Sequence, residues 1–89
     1  MILGRVVGRI TSTIHHPIMA GKKLLIVDRL DPAGRAAGYL IALDTVGAGW
    51  GETVLVLDEG NGARQVLGDD RAPVRSLVVA IVDEIHREP

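Results

Sequence analysis

His15 and His16 stand side by side ahead of Pro17, and His86 lies near the far end of the chain. Imidazole is the commonest protein metal ligand and a frequent general base. Neighbours at a strand end, however, point to opposite sides. His15 and His16 therefore make a poor chelate, and the spacing predicts solvated imidazoles at a turn. Cysteine is absent, which removes thiolate ligands, a thiol nucleophile and any disulfide. The carboxylates Asp28, Asp44, Glu52, Asp58, Glu59, Asp83 and Glu84 mostly flank apolar runs, as ordinary strand-end charges do. No Ser–His–Asp arrangement follows from the spacing. The expectation is a chain with no catalytic residue, no metal and no cofactor.

One segment does invite a ligand reading. Gly47-Ala48-Gly49-Trp50-Gly51 has the glycine density of a phosphate loop. A dinucleotide or P-loop fingerprint needs a helix directly after it, and the P-loop also needs a Lys-Ser/Thr pair. Here Glu52-Thr53-Val54 opens a strand instead. What survives is a tight backbone loop suited to a crowded place, such as a symmetry axis.

The elements that would position these residues are strands. The chain has 89 residues, enough for one domain spanning 1–89, and it contains no Phe, one Tyr and one Trp. Its core must be built from branched aliphatics, which favour strands. Residues 2–14 alternate: Ile2, Gly4, Val6, Gly8, Ile10, Ser12 and Ile14 share one face, and Arg5, Arg9, Thr11 and Thr13 share the other with Leu3 and Val7. Further strands are expected over 23–30, 39–44, 53–57 and 77–82. Asp31-Pro32-Ala33-Gly34 carries the residues of a type I turn, and Gly38 closes that loop. Asn61 can cap one helical turn over 62–67, closed by Gly68. The expected fold is all-β with that single short helical turn: a small five-stranded barrel of the OB or SH3 type.

Three of these runs fail to alternate. Leu24-Leu25-Ile26-Val27, Val54-Leu55-Val56-Leu57 and Leu77-Val78-Val79-Ala80-Ile81-Val82 are apolar on both faces. A lone small barrel has water outside and needs polar residues there, so a second face this apolar implies a cover. No long helix is present in the pattern to supply it, which points to another copy of the chain.

Charge bears on the rival classes. Ten basic residues stand against eleven acidic ones, a net charge of −1. An OB-type binding module for a small ligand or single-stranded nucleic acid is the main alternative, but nucleic-acid readers of this type use stacking aromatics and a basic groove. A small metal-dependent enzyme is a third. No apolar run is long enough to span a membrane, and the start Met1-Ile2-Leu3-Gly4-Arg5 does not read as a signal peptide, so the expected compartment is the cytoplasm.

The segment Asp44-Thr45-Val46-Gly47-Ala48-Gly49-Trp50-Gly51-Glu52-Thr53-Val54-Leu55 resembles the D-x-[VI]-G-A-G-x-G-E-x-V-L segment of the bacterial microcompartment vertex proteins of the EutN/CcmL type. Gly4, Gly8, Thr13, His16, Gly21 and Lys23-Leu24-Leu25 resemble that family's opening. Gly60 to Gln65 sits where the family often reads G-S-S-A-R-Q, and Pro73 and Ile81-Val82-Asp83 match its closing strand. Two departures stand out: Asn61-Gly62 in place of Ser-Ser, and Arg75 where an Asp is common.

The resemblance implies an OB-like barrel that assembles as a homopentamer. It implies tiling with hexagonal shell proteins and closure of a polyhedral shell around enzymes. Within that picture the loop Gly47, Ala48, Gly49, Trp50 and Gly51 is expected near a fivefold axis. Asn61, Gly62, Ala63 and Arg64 are expected at a subunit edge, with Asp44, Glu52 and Asp83 as acidic partners for Arg64. His15, His16, Lys22, Asp31 and Arg35 are the expected rim contacts to neighbouring tiles, because loops carry partner contacts while strands hold the ring.

Overall fold

A computed structural model describes residues 1–11, 22–58 and 75–85. Among the described residues five strands run in chain order: β1 Ile2–Ile10, β2 Leu24–Leu30, β3 Ala36–Asp44, β4 Thr53–Asp58 and β5 Ser76–Ile81. They close into a barrel in the order β1-β2-β3-β5-β4. Every neighbouring pair is antiparallel except β3 and β5, which run parallel. The expected five-stranded OB-like barrel is therefore present.

The barrel interior follows from period-two side-chain placement. Val6 of β1, Leu25 and Val27 of β2, Ala42 of β3, Val54 and Val56 of β4 and Val78 of β5 point inward and are sealed from water, with Ala48 from the β3–β4 connection closing one side. Ile2, Leu40 and Ile81 pack against this cluster. Leu43 and Leu77, register partners across the parallel β3–β5 pair, are also buried.

Gly4 shows why β1 needs a glycine on this face. A Cβ there would collide with Val27 Cγ1 and lie 2.8 Å from the Asp28 carbonyl oxygen. The close approach of β1 to β2 depends on the missing side chain.

Two strand boundaries differ from the sequence reading by more than one residue. β1 ends at Ile10, so Thr11 lies outside it, and residues 12–14 fall outside the described residues. β3 begins at Ala36, three residues before the expected start. Gly38, read from sequence as closing a loop, sits inside the strand with φ +103°. The β2–β3 pairing passes from Asp28↔Tyr39 to Leu30↔Ala36, so β3 carries one extra residue there. The glycine makes a bulge where the sequence pattern suggested a break. The turn before it forms as expected: Gly34 N–H donates to the Asp31 carbonyl at 2.8 Å, and Asp31 Oδ1 accepts from the amides of Ala33 and Arg35, each at 2.9 Å. The helical turn expected over 62–67 lies outside the described residues.

Candidate functional site

The segment from Asp44 to Glu52 must carry the chain from the end of β3 to the start of β4. It does so as a fixed shape. The Asp44 side chain turns back under the segment and is only 5% exposed. Its Oδ1 accepts from the backbone amides of Val46 at 3.1 Å, Gly47 at 3.1 Å and Ala48 at 3.2 Å. Aspartate suits this place because its short carboxylate reaches amides two to four residues ahead. Lys23, arriving from the start of β2, donates from Nζ to the Ala48 carbonyl at 3.0 Å and stands 3.6 Å from Asp44 Oδ2.

The far half is held in the same way. Glu52 Oε1 accepts from the Gly49 amide at 2.6 Å. Gly51 N–H donates to the Val6 carbonyl at 2.8 Å, and Val6 N–H to the Glu52 carbonyl at 3.0 Å. Thr45 Oγ1 donates to the Val78 carbonyl at 2.7 Å. The loop is thus fastened to β1, β2 and β5. Gly47 and Gly51 turn with φ of +77° and +84°, angles that L side chains rarely adopt. Gly49 does not share that requirement: a Cβ there would meet Glu52 Oε1 at 3.4 Å, an ordinary contact.

This rigid loop presents Trp50 to solvent, 82% exposed. Beneath it lies a hollow of about 300 Å³. Val6, Leu25 and Ala48 line its apolar part, and Arg9, Lys23 and Trp50 stand around them. Elsewhere on the barrel exterior Tyr39 is 69% and Ile41 47% exposed. The doubly apolar runs divide between two situations. Outward Leu24, Ile26, Leu55 and Leu57 are half-buried, whereas adjacent Leu77 and Val78 of β5 are both buried within the chain.

The residues singled out from sequence are distributed as follows. The carboxylates of Asp44 and Glu52 are engaged by their own chain's amides. Asp83 is exposed just past β5. Asp31 organises its turn, and Arg35 beside it is exposed. Lys22 is half-buried next to Lys23. His15, His16, His86, Asn61, Gly62, Ala63 and Arg64 lie outside the described residues. Among the described residues no three His, Asp or Glu side chains gather as metal ligands.

The sequence reading missed two arrangements. Lys23 was read as the first residue of a strand, and only the β2–β3 register brings it over Asp44 and Ala48. At the other end of the barrel, Ser76 Oγ donates to Asp58 Oδ1 at 2.5 Å, and Arg75 Nε stands 3.4 Å from the same oxygen. The Ser76 hydroxyl, and then the Arg75 charge, hold the Asp58 carboxyl below its ordinary value against the opposing effect of burial. Arg75, the departure from the usual Asp, therefore has an acidic neighbour on β4.

The arrangement defines a class before any comparison. It is a closed all-β barrel whose conspicuous features are a braced loop and exposed aromatic and aliphatic side chains, which is the equipment of a structural or interaction protein. Comparison with known proteins names the family. Residues 1–83 match the family model described as ethanolamine utilisation protein EutN/carboxysome. The chain belongs to the EutN/CcmL family, whose members are structural shell proteins rather than enzymes.

It is 42% identical over 86 residues to the bacterial microcompartment shell vertex protein EutN of Escherichia coli, covering 96% of this chain and 90% of that one. It is 42% identical over 90 residues to the carboxysome shell vertex protein CcmL of Nostoc sp., covering 99% and 88%. Among solved structures, CcmL of Gloeobacter violaceus superposes with a TM-score of 0.86 at 39% identity, covering 99% of this chain and 91% of that one. The pentameric microcompartment shell protein GrpN of Rhodospirillum rubrum superposes with a TM-score of 0.82 at 38% identity, covering 99% and 100%.

Proposed function

We propose that the protein is a non-catalytic shell subunit that forms a homopentamer and caps the vertices of a bacterial microcompartment. The observation that carries this reading is the full-length likeness to proteins named as shell vertex proteins, one of them a pentamer. The physics of the chain supports it. A barrel of this size leaves Tyr39, Ile41 and Trp50 in water when alone, and a neighbouring subunit would remove that area from solvent. The shells named for its relatives are cytoplasmic bodies, which sets the compartment.

Hexagonal shell tiles are the second partner: a flat sixfold sheet cannot close, and a fivefold ring at each corner supplies the curvature by geometry. The loop Gly47 to Gly51 faces the fivefold axis. The strands hold the ring, and the rim contacts come from loops, with His15, His16, Lys22, Asp31 and Arg35 as the residues concerned. Weak individual contacts suffice there, because each ring repeats them and gains by multivalency. Native mass spectrometry of the intact chain tests the ring directly. Five copies are expected, and a stable folded monomer at micromolar concentration would refute it.

A further inference from the structure

We infer that the hollow beneath Trp50 is the seat for the segment Val82 to Ile85 of a neighbouring copy of this chain. The inference rests on the ring proposed above and names where one subunit grips the next.

The hollow joins an apolar floor to cationic walls. Val6, Leu25 and Ala48 form the floor, Arg9 and Lys23 supply the charge, and Trp50 overhangs. Lys23 is already committed to Asp44 and Ala48. Arg9 is exposed and has no acidic partner among the described residues. Val6, Leu25 and Ala48 are already sealed in the core, so an occupant brings an apolar side chain against exposed Trp50 and a carboxylate for Arg9.

The chain carries that combination itself. After β5 it reads Val82-Asp83-Glu84-Ile85, with Asp83 exposed and Ile85 53% exposed. The two halves are built from different parts of the chain. Val82 N–H donates to the Thr53 carbonyl, and Thr53 pairs with Arg5, so the segment leaves on the β4 side. The hollow is lined by Val6, Gly8 and Arg9 of β1, by Lys23 and Leu25 at the start of β2, and by Ala48, Gly49 and Trp50 of the β3–β4 connection. A socket and a complementary plug formed by different parts of one chain make a head-to-tail contact, the kind that closes into a ring. With the net charge at −1, neither half needs a foreign protein to balance it.

The test uses the full chain. Arg9→Glu and Asp83→Arg should each weaken assembly about tenfold in native mass spectrometry and sedimentation. The double variant R9E/D83R should recover it, because the pair is re-formed with its sign reversed. Trp50 is the sole tryptophan, so its emission should shift to the red whenever the ring dissociates. A second measurement reads proximity directly. The chain has no cysteine, so Arg9→Cys and Ile85→Cys protomers can be co-assembled and oxidised. Disulfide-linked dimers are expected in the mixture and in neither variant alone. A ring with no cross-link in the mixture and unchanged assembly in R9E and D83R would overturn this seat while leaving the pentamer standing. A chain that stays monomeric without substitution would overturn both.

Discussion

Lys23, just before β2, and Asp44, at the end of β3, meet at the mouth of the glycine loop, with Nζ 3.6 Å from Oδ2. The two residues hold the loop from different sides. Asp44 gathers three amides on its other oxygen, and Lys23 takes the Ala48 carbonyl. Asp44 is buried and Lys23 partly exposed, so the two should not be equal in stability. Asp44→Ala leaves the amides of residues 46–48 without their acceptor and should cost about 3 kcal/mol. Lys23→Met should cost about 1 kcal/mol or less. Urea unfolding at fixed protomer concentration separates them. Equal midpoints would show that the loop does not depend on the carboxylate.

The glycines of the loop should also be unequal. Gly47→Ala and Gly51→Ala force a side chain into positive φ and should each cost about 1–2 kcal/mol. Gly49→Ala meets only the far end of the Glu52 side chain and should cost less. Thermal melts of the three variants test the order. A Gly49 variant as damaged as the other two would place its constraint outside the single chain, at a subunit contact.

Gly4→Ala should destabilise the barrel by about 1–3 kcal/mol through overpacking. Trimming the facing side chain with Val27→Ala should not restore it, because the Asp28 carbonyl oxygen is backbone and remains in the way. Full rescue by the double variant would contradict the close β1–β2 approach.

Asp58 makes stability depend on pH on the acid side. Its folded carboxyl is held below the ordinary value of 3.8 by the Ser76 hydroxyl first and by Arg75 after it. The stabilisation is complete above that ordinary value and is lost as pH falls through the folded one. Ser76→Ala should be less stable than the parent at pH 7, and the gap should narrow below about pH 4. A gap independent of pH would mean that Ser76 acts through packing alone.

Much of the barrel was legible in the sequence because β1 alternates and the other strands are dense in branched aliphatics between turn residues. Asp31-Pro32-Ala33-Gly34 announced its turn for a local reason, since side chain and backbone bond within four residues. Gly38 was misread for the opposite reason. A bulge is a relation between two strands, and a single glycine looks the same in a bulge and in a loop. The loop after Asp44 was visible as irregular, but its bracing was not. Lys23 is remote from Ala48 in sequence and meets it only once β2 and β3 are in register. The exposure of Ile41 and Tyr39, beside the burial of both Leu77 and Val78, likewise depends on which strands neighbour which.

The vertex role is tested most directly by making shells with and without this chain. Hexagonal shell proteins would be expressed in both conditions, and the products compared by electron microscopy and by permeability to a small dye. The account predicts closed, sealed polyhedra only when the chain is present, and sheets, tubes or shells with open corners when it is absent. Sealed polyhedra formed without it would contradict the account.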